Sequence, residues 1–61
     1  MDRAALIQRK GEVQAEIARL RRQVEAMRAR GDARRLAELE RQLDAAMAEE
    51  TRLRQLIDRS R

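Results

Sequence analysis

From Val13 to Met27 the apolar residues of this 61-residue chain alternate spacings of four and three: Val13, Ile17, Leu20, Val24 and Met27. That is the seam of a coiled coil, with heptad position a at Ile17 and Val24 and position d at Leu6, Val13, Leu20 and Met27. Carrying the register backwards puts Arg3 and Lys10 at a, so two seam positions are basic. A second stripe, Leu36, Leu39, Leu43, Ala46, Glu50, Leu53 and Ile57, repeats in the same manner, with a at Leu36, Leu43, Glu50 and Ile57. The two stripes are out of phase. Continuing the first register would place Gly31, Arg34, Glu38 and Arg41 in the seam, which is no core, so the pattern predicts two helices rather than one rod.

The break in phase coincides with a local signal. Gly31 followed by Asp32 reads as a helix stop and a helix start. Glycine adopts the left-handed conformation just past a helix end, and an Asp side chain accepts the free N–H groups of the next helix. Asp2 can cap the first helix in the same way. The chain is thus expected to be one unit over residues 1–61: a helix over 2–30, a turn over 30–33 and a helix over 33–60. Gly11 falls on the outward face, at about 1 kcal/mol relative to Ala. It reads as a tolerated surface glycine, a weak point, or a place where another chain comes close.

An antiparallel pair sets a of one helix against d of the other. Pairing residues symmetrically about the Gly31–Asp32 bond gives Met27 with Leu36, Val24 with Leu39, Leu20 with Leu43 and Ile17 with Ala46. Further from the turn it gives Val13 with Glu50, Lys10 with Leu53 and Leu6 with Ile57. Every layer matches a to d, so local chemistry and global pattern agree. The expected fold is all-α, an antiparallel helical hairpin that self-associates into a four-helix assembly.

Lys10 and Glu50 lie in adjacent layers, within diagonal reach. They read either as a partly buried ion pair that fixes register at some cost in stability, or as two long side chains reaching solvent. Among the flanking charges, Arg21 is expected to face Glu40, with Glu16 near Glu49 and Arg30 near Arg35. Within the helices Glu16 to Arg19, Glu25 to Arg28, Glu38 to Arg41, Glu49 to Arg52 and Glu50 to Arg54 have favourable spacings. Ile7, Met47 and Leu56 are apolar but fall off the seam. With Leu6, Leu53 and Ile57 they form the candidate protein interface, since exposed apolar area marks contact sites.

Composition narrows the function classes. The chain has no Pro, Cys, His or aromatic residue and only two Gly, while hydrophobic and charged residues each make up 43%. This is helix or coiled-coil composition. Without Cys or His, disulfides and the usual zinc ligand sets are excluded, and a chain this short is left with partner chains to complete its stability. Thr51 and Ser60 are the only hydroxyl side chains, with no His beside them, so an enzyme is not expected and no cofactor is implied. No apolar run approaches a secretory core or a membrane span, and the expected location is the cytoplasm.

The formal net charge is +4, with Arg supplying all but one of the 15 basic residues. Met1 to Gly31 carries eight basic and four acidic residues, and Asp32 to Arg61 seven of each. Arg19, Arg21, Arg22, Arg28, Arg30, Arg34 and Arg35 gather toward the turn as candidate contacts for phosphate or an acidic partner. With no aromatic residue to stack on bases, any nucleic-acid binding would run through the backbone.

In shape and turn position the plan resembles the Rop family of plasmid copy-number regulators, whose hairpins dimerise into a four-helix bundle and bind RNA. Arg30-Gly31-Asp32 is similar to the tip of the coiled-coil arm of the Gre transcript-cleavage factors. Ala33, Arg34 and Arg35 follow, where those tips carry further acidic and Asn residues to hold a metal, so that mechanism does not carry over. The small hairpin chaperones of type III secretion are similar in size and plan. The expected function is protein–protein association, as a homodimer or as an adaptor for another protein. The alternative is a Rop-like binder of RNA or DNA backbone through the arginine-rich tip.

Overall fold

The computed structural model describes residues 2–60, which form two helices, α1 (Arg3–Arg30) and α2 (Ala33–Arg59), packed side by side. At about 1.5 Å per residue the 28 residues of α1 should rise about 42 Å, and the hairpin measures 45 × 14 × 13 Å.

Each helix start is capped as its sequence predicts. The Asp2 carboxylate accepts the Ala5 N–H at 2.7 Å, and the Asp32 carboxylate accepts the Arg35 N–H at 3.1 Å. The turn between them is a Schellman motif. Gly31 adopts φ 74° and ψ 22°, and its N–H donates to the Arg28 carbonyl while that of Asp32 donates to the Met27 carbonyl. One residue, Gly31, closes α1, and the next, Asp32, opens α2. The linker is therefore as short as two helices packed antiparallel allow.

The core is the predicted seam. Leu6, Val13, Ile17, Leu20, Val24, Leu39, Ala46, Leu53 and Ile57 are buried, with Met27, Leu36 and Leu43 half-buried against them. Leu20, Leu39 and Val13 are the most completely enclosed. Burial eases at the turn, where the Met27–Leu36 layer has neighbours on one side only. Lys10 and Glu50 are half-buried within the seam, whereas Arg3 is exposed.

Two long edges flank the seam, assigned by seven-residue spacing. One carries Ile7, Gln14, Arg21 and Arg28 of α1 with Glu40, Met47 and Arg54 of α2, and is called here the Arg21 edge. The opposite one carries Arg9, Glu16, Gln23 and Arg30 with Arg35, Gln42, Glu49 and Leu56, and is called the Glu49 edge. Cross-helix contacts agree with this division: Arg9 meets Glu49 on one edge, and Arg28 meets Glu40 on the other.

Candidate interaction edges and turn

Side-chain pairing along the edges departs from the expected register. Glu49 is held by Arg9, through Nε to Oε2 at 3.0 Å and Nη2 to Oε1 at 3.2 Å, and not by Arg52. Arg9 also reaches Glu12 at 3.3 Å. Glu16 and Glu49 line one shallow groove, as expected from their register, but each has an arginine partner: Arg9 for Glu49, and Arg19 at 3.9 Å for Glu16. Donating hydrogen bonds to the Glu49 and Glu12 carboxylates raises the Arg9 guanidinium above its ordinary pKa, the Glu49 bond contributing most. On the other edge Glu40 pairs with Arg28 at 3.7 Å instead of with Arg21, and Arg28 also holds Glu25. Arg35 pairs with Glu38 at 3.3 Å, in place of Glu38 with Arg41. In the two cross-helix pairs, Arg9–Glu49 and Arg28–Glu40, a long arginine reaches a carboxylate further along the edge than the position directly opposite.

The Lys10–Glu50 ion pair does not form. Glu50 accepts from Gln14 Nε2 at 3.1 Å and from Arg54 Nη2 at 2.7 Å. Among the described residues Lys10 has no carboxylate within ion-pairing distance. Arg54 is one helical turn from Glu50 on α2, and Gln14 lies one turn beyond Lys10 on α1, so both reach Glu50 first. The hydrogen bond from Gln14 foremost, and then Arg54, hold the Glu50 carboxyl below its ordinary pKa, against an opposing push from desolvation. Gln14 was not among the residues singled out from sequence. Its position on the edge beside the Val13–Glu50 layer is the signal that could have found it.

The candidate interface residues separate into two groups. Leu6, Leu53 and Ile57 are buried within the hairpin's own seam. Ile7, Met47 and Leu56 remain exposed, at 47%, 41% and 38%. They do not form one cluster: Ile7 and Met47 share the Arg21 edge, while Leu56 lies on the Glu49 edge. Two shallow grooves run along the Arg21 edge. One is lined by Ala18, Arg21, Met47 and Thr51 over Ile17, and the other by Arg21, Glu25, Arg28, Glu40 and Asp44. Neither Arg21 nor Asp44 has an ion-pair partner among the described residues, so this edge presents unspent charge of both signs.

Near the turn, Arg19, Arg28 and Arg35 are engaged by carboxylates of their own hairpin. Arg21, Arg22, Arg30, Arg34 and Arg41 make no ion pair among the described residues and are exposed. The two hydroxyls are tied to backbone, Thr51 Oγ1 donating to the Met47 carbonyl at 3.1 Å and Ser60 Oγ to that of Ile57 at 3.0 Å. Among the described residues no group of carboxylates is placed to hold a metal ion, and no helix is long and apolar enough to cross a membrane. Compared with known proteins, the chain matches no family model, no curated protein and no solved structure.

Proposed function

We propose that this hairpin is a non-enzymatic association module that pairs with a second copy of itself along the Arg21 edge to make a four-helix assembly. The observation that carries the reading is the exposure of Met47 beside the small side chain of Ala18 and a groove floored by Ile17, with Ile7 exposed further along the same edge. Apolar residues on one line, with small neighbours that let a helix approach, are what a coiled-coil surface needs to gain a further helix. Charge supports the same edge. Arg21 and Asp44 leave it with free groups of both signs, so two copies related by a two-fold axis can satisfy each other. The Glu49 edge offers less, because Arg9 already neutralises Glu49 and only Leu56 is apolar there.

Sedimentation equilibrium over a wide concentration range tests this. The expected mass is twice the 7.1 kDa of one chain. Met47→Glu should shift it toward the monomer, and Leu56→Glu on the opposite edge should not. A wild-type monomer at every concentration would refute self-pairing and turn attention to a different protein as the edge's partner. Equal weakening by both substitutions would refute the choice of edge.

A further inference from the structure

The turn-proximal half of the hairpin, residues 17–46, holds eight arginines against five carboxylates. Pairing sharpens that imbalance. Glu25 and Glu40 are taken by Arg28, Glu38 by Arg35, and Asp32 by its own helix cap, leaving Asp44 as the one unengaged carboxylate. Arg30, beside the turn, and Arg34 and Arg41, two helical turns apart on the outer face of α2, are all exposed and have no ion-pair partner among the described residues. At about 1.5 Å per residue, Arg34 and Arg41 stand about 10 Å apart along the axis.

The surroundings decide what such a surface can hold. A protein partner is anchored by buried apolar or aromatic residues at the centre of the contact. Here the chain neighbours of the free arginines are alanine, glycine, one glutamine and other charged groups, and the exposed large apolar residues Ile7, Met47 and Leu56 lie outside residues 17–46. An anionic lipid surface also attracts clustered arginines, but residues 17–46 expose no large apolar side chain to enter it, so it is the weaker fit. The partner must be recognised by charge alone. Arginine's planar fork matches phosphate oxygens in pairs, and a nucleic-acid backbone offers such groups at close, regular intervals. With no aromatic residue to stack exposed bases, a double helix fits better than a single strand.

We propose that Arg30, Arg34 and Arg41 form a binding surface for the phosphate backbone of double-helical nucleic acid. The surface is independent of the Arg21 edge and remains free whether the chain is monomeric or paired. Fluorescence anisotropy of a labelled duplex of about 20 base pairs, as DNA and as RNA, reads it directly. With about three phosphate contacts at a slope near −0.9 each, affinity should fall about 40-fold between 50 and 200 mM salt. The triple variant R30Q/R34Q/R41Q should weaken binding at least about tenfold at low salt, more than the loss of a mobile surface charge explains.

The control triple R3Q/R52Q/R59Q removes the same charge from exposed arginines that are also unpaired among the described residues, but far from the turn. It should change affinity by less than about threefold, since only charge near the phosphates releases counterions. Both triples should keep the wild-type helical circular dichroism, because none of the six arginines holds an intramolecular partner among the described residues. Absence of binding at 50 mM salt, equal loss in the two triples, or equal affinity for phosphatidylserine vesicles or polyglutamate would each overturn the proposal.

Discussion

Arg9 and Glu49, forty positions apart in sequence, meet through two parallel hydrogen bonds of 3.0 and 3.2 Å across the Glu49 edge. The bond ties the open half of α1 to α2, where the turn no longer constrains the chain. It is half exposed, so solvent and salt screen it, and its worth is modest. A double-mutant cycle of Arg9→Ala and Glu49→Ala should show a positive coupling that shrinks as salt is raised. The single variants should melt a few degrees below wild type. Additive losses would mean the two side chains act separately.

The two glycines give opposite outcomes for one substitution. Gly31 is held at φ 74°, where a Cβ is strained, so Gly31→Ala should destabilise the hairpin by about 1 kcal/mol. Gly11 is helical, and a Cβ there would meet nothing within 4 Å. Gly11→Ala should therefore stabilise by about 0.5–1 kcal/mol. Thermal melts followed by circular dichroism at one protein concentration check both. A loss at Gly11 would mean that another chain packs against it in solution.

Leu20 and Leu39 are 2% exposed at the middle of the seam. Either leucine changed to Ala should cost about 2–5 kcal/mol, enough to leave a hairpin of this size largely unfolded. Leu36→Ala, in the half-buried layer beside the turn, should cost less, because that side chain never leaves water completely. Urea titration of the three variants ranks them, and a larger loss at Leu36 would contradict the observed gradient of burial.

Glu50 supplies a pH dependence whose sign follows from its partners. Gln14 and Arg54 lower its folded pKa, so the unfolded chain binds the proton more readily. The stabilisation is present above the ordinary glutamate value and is lost as pH falls through the lowered one. Melting temperature should therefore drop as pH is taken from neutral to below the carboxylate range, and Glu50→Gln should flatten that drop. Glu50→Leu should raise the melting temperature at neutral pH, since an apolar side chain in the Val13 layer replaces a charge that needs desolvation. A lower melting temperature for Glu50→Leu would show that the Gln14–Glu50–Arg54 contacts outweigh that gain.

The hairpin is legible in residue order alone. A phase break in two heptad stripes, Gly31 and Asp32 at that break, and a-to-d matching in every layer point to one topology. Backbone capping and apolar burial act at short range or with strict periodicity, and both are written in residue order. Glu16–Arg19, Glu25–Arg28 and Glu50–Arg54 pair at the spacings read from residue order, but the polar contacts between the helices depend on the packed hairpin. Lys10 and Glu50 stand in adjacent layers, yet Gln14 and Arg54 reach Glu50 first; Glu49 lines a groove with Glu16, yet its partner is Arg9. Leu6, Leu53 and Ile57 looked available beside Ile7 and Leu56, but the hairpin encloses the first three and sets the other two on opposite edges. A long charged side chain has many rotamers and several partners within reach. Its choice depends on the sum of competing contacts in three dimensions, which residue spacing alone does not encode.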